Sequence, residues 1–256
     1  MNRSNKIFGV CRIRNEEKII FNTLEHVSNF VDEIYVFDDH STDNTIDICS
    51  SFPKVKRIIR AKKWEPDPKR RQVLEGTQRQ IIYNEAAKKK PDWIYYFDAD
   101  EYAYLDNIDL NNKNIGAYKM RLFDFYITPD DVGTNYLERK FMGPEFRDIL
   151  TLFRPSPNVK FVSRCPHGIA GACKIGGYVK HYGKAISIEQ WEQTCDYYIN
   201  HLFEKQPGNS TISEKWKNRK GKAVHNGYSD FNRKLITWGQ RKDCKIIINN
   251  SRGEAE

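Results

Sequence analysis

Along the first hundred residues, short apolar runs alternate with segments in which apolar residues recur every three or four positions. Short runs of apolar and β-branched residues predict strands at 6–13, 33–39, 55–61 and 92–100. Between them, apolar residues spaced three or four positions apart predict helices at 16–31, after 41 and at 71–90, with Ser41, Thr42 or Asp43 as the N-cap of the second. Strands that alternate with helices over short links predict right-handed βαβ units and a parallel sheet.

The pattern changes after about residue 105. Strands are predicted at 117–127, 149–155 and 159–163, between loops rich in Pro, Gly and Asp. An amphipathic helix is predicted at 187–205, a mobile segment at 206–222 and a last helix at 229–242. The sequence therefore predicts one α/β domain over residues 1–185 and a helical C-terminal extension over 186–256.

Composition narrows the class of protein. The 256 residues are 39% hydrophobic and 13% aromatic, enough for a substantial core, and the mean hydropathy is −0.73. The apolar runs are far shorter than the roughly 20 residues that cross a bilayer. The first ten residues lack the apolar stretch of a signal peptide. We therefore expect a cytoplasmic protein, or one on the cytoplasmic face of a membrane.

The formal net charge of +8 indicates an anionic partner without naming one. Basic runs at 88–90 and 215–222 are typical of a solvated surface, and they leave open a peripheral contact with a membrane. A nucleic-acid-binding module is the alternative that this charge raises. No helix-turn-helix, zinc-finger or aromatic RNA-binding signature is present, so we expect no nucleic-acid partner.

Acidic residues mark the ends of two predicted strands. Asp38 and Asp39 follow the second strand in "VFDDHSTDNT", where a carboxylate can accept hydrogen bonds from an imide N–H or a ribose hydroxyl. The alternative is that both cap a turn and a helix. Because ligands of parallel sheets bind at the carboxyl ends of the strands, this position favours a binding role.

The fourth strand ends in "FDADEY", which brings Asp98, Asp100 and Glu101 together. Two carboxylates with this spacing can bind one hard cation, Mn²⁺ or Mg²⁺, through oxygen ligands. Such a metal would neutralise the charge that develops on a leaving phosphate. The alternative is a solvated acidic turn.

Three stretches in order, "RIRNEEKII", "IYVFDDHSTDNT" and "QRQIIYNEAAKKKPDWIYYFDADEY", resemble the inverting glycosyltransferases of family 2. The resemblance is clear over residues 6–105 and weaker to about 185. It implies a GT-A-like αβα sandwich with a mainly parallel central sheet. It also implies nucleotide contacts at Asp38 and Asp39, with Asp98 and Asp100 contacting the metal or the diphosphate.

The implied reaction moves a sugar, with inversion, from a nucleotide-diphosphate sugar such as a UDP-sugar to an acceptor hydroxyl. The metal is Mn²⁺ or Mg²⁺, and the acceptor is a glycan, a lipid-linked molecule or a protein. The alternative enzyme class is a nucleotidyltransferase acting on a sugar phosphate. Such an enzyme would show a Gly-rich phosphate loop after the first strand, and "CRIRNEE" has no glycine.

Two departures from the family concern the site. His40 stands where the family usually has a Gly or another small residue, and the Glu-Asp pair that often supplies the base is not evident. The base that deprotonates the acceptor hydroxyl must then be sought in the second half. Its candidates are Glu145, Asp148 and His167, with Asp130 and Asp131 next in line.

Three further residues have candidate roles in donor binding. His181, in "VKHYGK", follows a predicted strand, and it resembles the C-terminal His with which many GT-A enzymes complete the metal or pyrophosphate site. A hydrogen-bonded core His is the competing interpretation. Arg14 and Arg79 are candidates for charge-assisted contacts to the diphosphate or the base, and surface positions are the alternative for both.

Overall fold

A computed structural model describes residues 5–162, 164–201 and 212–248 of the chain. The residues group into two compact units. The first consists of Met1–Glu65, Arg70–Arg121 and Ile149–Val179, and the second of Pro66–Lys69, Leu122–Asp148 and Lys180–Glu256. The predicted division at residue 185 stays a prediction.

The strands and helices are numbered in chain order. The strands are β1 (Ile7–Ile13), β2 (Glu33–Asp38), β3 (Val55–Arg60), β4 (Trp93–Phe97), β5 (Glu101–Tyr104), β6 (Ile115–Phe125), β7 (Phe141–Phe153), β8 (Lys160–Phe161), β9 (Pro166–His167), β10 (Ala172–His181), β11 (Ile236–Thr237) and β12 (Ile246–Ile247). The α-helices are α1 (Ile20–Ser28), α2 (Thr45–Ser51), α3 (Pro68–Ala87), α4 (Ile188–His201) and α5 (Ile212–Arg219). Strands β6, β7 and β10 contribute residues to both units.

The first unit is built on a sheet with the strand order β3-β2-β1-β4-β7-β6-β10-β5. Its first four strands run parallel, since β1 pairs in parallel with β2 and β4, and β2 with β3. Strand β7 then pairs antiparallel with β4. The predicted α/β class, with a mainly parallel central sheet, is confirmed.

The core of the first unit explains why β1 reads as a continuous apolar run. Both faces of β1 are buried, as expected for a parallel strand covered on each side. On one face, Phe8 and Val10 pack in one cluster with Ile82 and Tyr83 of α3. Helix α1 buries Ile20, Leu24 and Val27 at its own apolar stripe. The apolar sides of the predicted helices and strands are thus the sides that are buried in the core of this unit.

Gly76 lies in the middle of α3, where a glycine normally weakens a helix. A Cβ at this position would meet the backbone oxygen of Val162 at 2.6 Å. Strands β8 and β9 form a short antiparallel hairpin, and its backbone therefore lies directly against the helix at Gly76. The glycine is required by this close approach.

The second unit has its own packing. Strand β11 pairs antiparallel with the start of β7, and β12 pairs parallel with its middle. Helices α4 and α5 bury a small aromatic cluster in which the ring of Tyr198 stacks on Trp216 at 4.1 Å between centroids. Trp191 and Cys195 complete this cluster with Trp216.

Some predicted elements are wrong. The predicted helix at 229–242 does not form, because residues 236–237 pair with β7 as β11 and a 3-10 helix follows over Trp238–Asp243. Part of the segment predicted as mobile forms α5, and its residues 206–211 lie outside the described residues. Helix α1 begins at Ile20, four residues later than predicted.

Within the described ranges, no helix combines the length and the apolar character that crossing a membrane requires.

Candidate active site

The site is organised by three neighbouring parallel strands of the first unit. β1 lies between β2 and β4, and all three run in the same direction. The side chains that follow Ile13, Asp38 and Phe97 therefore emerge at one edge of the sheet. The chain order of the strands reverses between β1 and β4, because β2 and β3 lie on one side of β1 and β4 lies on the other. Open α/β sheets bind ligands at such switch points.

Asp38 shapes the turn after β2. Its two carboxylate oxygens accept the backbone N–H of Ser41 at 3.0 and 3.2 Å, and Arg60 Nε lies 3.0 Å from Oδ2. His40, between them, has φ of +61°, the left-handed conformation that glycine adopts most readily. A positive φ at this position explains structurally why a glycine suits it.

Asp39 is held by two side chains of the first unit. Arg12 donates to Oδ2 at 2.6 Å, and Gln78 Nε2 donates to Oδ1 at 2.7 Å. Arg12 Nε also donates to Gln78 Oε1 at 2.5 Å, which closes a three-membered ring of hydrogen bonds. Because Asp39 is only 2% exposed, this ring fixes its carboxylate in place.

Asp98 is connected to α3 through a tyrosine. Arg79 Nε donates to the hydroxyl of Tyr96 at 2.5 Å, and that hydroxyl donates to Asp98 Oδ1 at 3.0 Å. Burial raises the pKa of Tyr96, so its proton stays available for this bond. Arg79 also pairs with Glu75 at 3.2 Å and is buried. Arg79 is therefore not a surface residue, and it supports Asp98 indirectly, through the hydroxyl of Tyr96.

The second oxygen of Asp98 faces Arg164, from the turn between β8 and β9. Arg164 Nη1 lies 3.4 Å from Asp98 Oδ2, and its Nη2 donates to Glu101. Glu101 is 1% exposed and also accepts the backbone N–H of Asp98 at 3.4 Å through Oε2. Arg164 is thus a cation within the acidic stretch that follows β4.

Glu16, which follows β1, interacts electrostatically with these acids. Burial raises its pKa well above the usual value, and Asp100, Asp98 and Asp43 raise it further. Four carboxyl groups therefore act on one another at this edge of the sheet. Asp98 and Asp100 offer hard oxygen donors in a surplus of negative charge, which fits a divalent cation such as Mn²⁺ or Mg²⁺.

Arg14 lies over the ring of Trp64, with its Cζ 4.4 Å from the ring centroid. Its Nε is buried without a hydrogen-bond acceptor. A buried guanidinium nitrogen without an acceptor is costly. An arriving anion or carbonyl oxygen would satisfy it, which fits the predicted role in donor binding.

A buried charge network occupies the second unit. Asp124 of β6 contacts His181 Nδ1 at 2.6 Å, Lys184 Nζ at 3.0 Å and the guanidinium of Arg147. Burial alone would raise the pKa of Asp124, but Lys184, Arg147 and His181 hold it well below the usual value. Lys184 also pairs with Asp230 at 2.7 Å. His181 is therefore anchored by a carboxylate through one ring nitrogen.

The three candidate bases lie in different surroundings. Glu145, in β7, is 3% exposed. Neither of its carboxylate oxygens makes a hydrogen bond of full geometry, although Ser229 lies close enough to lower its pKa. Burial raises its pKa. Asp148 is half-buried in the same strand, and His167 is exposed in β9. Glu145 and Asp148 belong to the second unit, as does His181, whereas His167 belongs to the first.

The contacts of Asp131 hold the backbone around it, which indicates a structural role. Its Oδ1 accepts the backbone N–H of Thr128 at 2.8 Å, and its Oδ2 accepts that of Lys140 at 3.1 Å. The guanidinium of Arg139 lies 3.7 Å from Oδ1. These bonds engage both oxygens of Asp131, while Asp130 is exposed.

Sequence reasoning missed four residues that organise these clusters: Arg12, Gln78, Asp124 and Arg164. Arg12 and Gln78 stand 66 positions apart, and only the fold joins them. Asp124 is the exception, because an acid inside the apolar run "RLFDFYI" is itself a signal of a buried ion pair.

Residues 12–110 match the family model described as Glycosyl transferase family 2. That segment contains the last two residues of β1, the strands β2 to β5, and every site residue that follows β1, β2 and β4. The match confirms the resemblance to family 2 glycosyltransferases that the motifs predicted, for the residues that it covers.

Curated relatives are similar over a little more than half of the chain. The SPbeta prophage-derived glycosyltransferase SunS of Bacillus subtilis is 31% identical over 150 residues, which are 58% of this chain and 31% of SunS. Uncharacterized protein Rv3786c of Mycobacterium tuberculosis is 29% identical over 147 residues, 57% of this chain and 33% of that protein. The chain thus matches about a third of the length of these relatives.

Among solved structures, glucosyl-3-phosphoglycerate synthase from Mycobacterium tuberculosis, in complex with Mn²⁺, UDP and glucosyl-3-phosphoglycerate, is 22% identical. The likeness covers 48% of this chain and 44% of that one, with a TM-score of 0.30.

Proposed function

We propose that the chain is a glycosyltransferase that moves a sugar from a nucleotide-diphosphate sugar to an acceptor hydroxyl, with inversion and with a divalent metal. The observation that carries this proposal is a pair of carboxylates at one edge of the parallel sheet, one buried and one partly exposed, each held by hydrogen bonds from neighbouring side chains. Asp39 follows β2 and is fixed by Arg12 and Gln78, while Asp98 follows β4 and is fixed by Tyr96. The family match over residues 12–110 supports it.

Asp39 would recognise the nucleotide. A rigid carboxylate at the end of β2 can accept hydrogen bonds from the imide of a pyrimidine base or from ribose hydroxyls. Oδ2 of Asp38 already binds both Ser41 and Arg60, so Asp38 would contribute mainly by holding the turn. Each oxygen of Asp39 accepts a single bond and keeps a second lone pair for the nucleotide. Arg14 would add a charge-assisted contact to the donor through its unused buried nitrogen. Uracil carries an imide N–H from which such a carboxylate can accept a hydrogen bond, so a UDP-sugar is the donor that we propose to test first.

Asp98 and Asp100 would hold Mn²⁺ or Mg²⁺, and we retain His181 as a further metal or diphosphate ligand. The metal, when bound, would neutralise charge on the leaving nucleoside diphosphate. Arg79 would keep Tyr96 oriented so that its hydroxyl fixes Oδ1 of Asp98. The conformation of the metal-binding carboxylate would then be set before the ligand arrives.

Glu145 is the base that we favour. A general base works best when its pKa lies near the working pH, and burial moves the pKa of Glu145 upward in that direction. Few groups engage its oxygens, in contrast to those of Asp131: Ser229 and the backbone of Glu145 lower its pKa, but burial outweighs them. Asp148 and His167 remain the alternatives. The acceptor would be a glycan, a lipid-linked molecule or a protein.

A thermal-shift panel with nucleoside diphosphates, followed by a donor-by-donor screen of sugar-nucleotide hydrolysis, tests the proposed function. We expect UDP to raise the melting temperature in MnCl₂ more than in EDTA, and at least one UDP-sugar to be hydrolysed. If no nucleoside diphosphate shifts the melting temperature and no donor is hydrolysed with either metal, the proposed function is wrong.

Kinetics separate the base from the donor site. Glu145→Gln should depress transfer to the acceptor but leave the binding of UDP unchanged, because a base acts on the acceptor hydroxyl. Asp148→Asn and His167→Gln are the matched variants. If Glu145→Gln transfers sugar at the wild-type rate, the base is one of the other two.

A further inference from the structure

The acidic stretch after β4 contains a cation of its own. Arg164 Nη1 lies 3.4 Å from Asp98 Oδ2, and Arg164 Nη2 donates to Glu101. This arginine comes from the turn between β8 and β9, 63 positions away from Glu101. The pairing is therefore produced by the fold of the first unit and not by neighbouring sequence.

The two contacts of Arg164 differ in strength. Glu101 is buried, and its contact with Arg164 is the closer one, so this acid is the fixed partner. Asp98 is more exposed, with 28% of its side chain accessible, and its contact with Arg164 is longer. An ion pair that is longer and more exposed is weaker and is more readily exchanged for another partner.

The oxygens of Asp98 are also unequal. Oδ1 accepts the hydroxyl of Tyr96 at 3.0 Å, which leaves Oδ2 as the oxygen that faces Arg164. A divalent cation bound by Asp98 would draw on the oxygen that Arg164 now neutralises. Two cations near one carboxylate repel each other, and the repulsion is strong in a partly desolvated site.

We propose that Arg164 is an exchangeable counter-cation of the acidic site, which neutralises Asp98 and Glu101 in the free protein and competes with the divalent metal for Asp98. The inference rests on the proposed function in taking Asp98 as a metal ligand. When the metal binds, Arg164 stays anchored at Glu101, and its positive charge then serves the diphosphate. The same side chain thus opposes the metal alone and favours the nucleotide.

Titration calorimetry with two probes tests this inference. MnCl₂ alone is titrated into wild type and Arg164→Ala, and UDP is titrated in saturating MnCl₂. We expect Arg164→Ala to bind Mn²⁺ about 5- to 50-fold more tightly, because a repelling charge is gone. The same variant should bind UDP roughly 10-fold more weakly, because a charge-assisted contact is lost.

Three further variants sharpen the test. Arg164→Lys keeps the charge and should bind Mn²⁺ like wild type, whereas Arg164→Gln should behave like Arg164→Ala and guards against a folding defect. Lys160→Ala removes one exposed positive charge from the same hairpin, and it should change neither affinity.

The measured affinities for Mn²⁺ and UDP distinguish failure of this inference from failure of the proposed function. If wild type binds Mn²⁺ and Arg164→Ala binds it equally or less tightly, the inference is wrong while the proposed function stands. If Lys160→Ala tightens Mn²⁺ binding as much as Arg164→Ala does, the effect is one of net charge and the inference is again wrong. A wild type that binds neither Mn²⁺ nor UDP overturns both.

Discussion

Gln78 of α3 donates a hydrogen bond of 2.7 Å to Asp39, which follows β2 and stands 39 positions earlier in the chain. The bond joins a helix that covers the sheet to a carboxylate at the sheet's edge. Together with Arg12 it leaves Asp39 one conformation. An acceptor that is fixed before the ligand binds loses little conformational entropy on binding.

Asp39→Ala should weaken the binding of UDP by about 1–3 kcal/mol, the usual cost of losing a hydrogen bond to a buried polar group. Calorimetry in saturating MnCl₂ measures the change. Asp47→Ala, which removes an exposed acid of α2, is the matched control and should bind UDP like wild type. Equal affinity of Asp39→Ala and wild type would show that the nucleotide is recognised elsewhere.

Asp100→Ala should lower turnover of the donor by roughly 100-fold or more, in line with other losses of a single charge-stabilising group. The physical reason is that one of the two carboxylates proposed to hold the metal is gone. Initial rates of UDP-sugar hydrolysis, measured over a range of MnCl₂ concentrations, are the readout. Undiminished turnover in Asp100→Ala, or in wild type with excess EDTA, contradicts metal dependence.

Asp131→Ala should destabilise the protein without a specific effect on donor binding. The substitution leaves Arg139 buried without its carboxylate and two backbone N–H groups without acceptors. Breaking a buried ion pair from one side costs about 3–5 kcal/mol. Urea unfolding measures the loss, and the exposed neighbour variant Asp130→Ala should stay within about 0.5 kcal/mol of wild type.

Glu145 should make stability depend on pH. Its pKa is raised in the folded protein by burial, so the folded state holds a proton that the unfolded state releases at lower pH. The free energy of unfolding should therefore fall as the pH rises from about 4.3, the ordinary Glu value, through the raised value. Glu145→Gln should remove this slope. Urea unfolding between pH 4 and pH 8 compares the two, and parallel profiles would refute the expectation.

The strands of the parallel sheet could be predicted closely, because each is a short apolar run bounded by polar turns. β2, predicted at 33–39, is observed at Glu33–Asp38, and β3, predicted at 55–61, at Val55–Arg60. The start of α1 could not be predicted. The backbone N–H of Glu16 donates to the side chain of Thr45, the first residue of α2, and that of Glu17 donates to Asp43 in the turn before it. Such partners are set by the fold alone.

The predicted helix at 229–242 fails for a similar reason. Its local pattern suits a helix, but Asn232 has a positive φ of 55° and Ile236 pairs with Met142 of β7. Pairing with an available strand outweighs a modest local preference. At the site, strand ends could be located from the sequence, whereas the cations and amides that brace the acids could not.

One turn of α3 carries Glu75, Gly76, Gln78 and Arg79. Gly76 admits the backbone of the β8–β9 hairpin, Gln78 holds Asp39, and Arg79 reaches Asp98 through Tyr96. A small shift of this turn would disturb Asp39, the proposed contact for the nucleotide, and Asp98, the proposed ligand of the metal, at the same time. The two ligands would then be thermodynamically linked, and each would change the affinity for the other by the same factor.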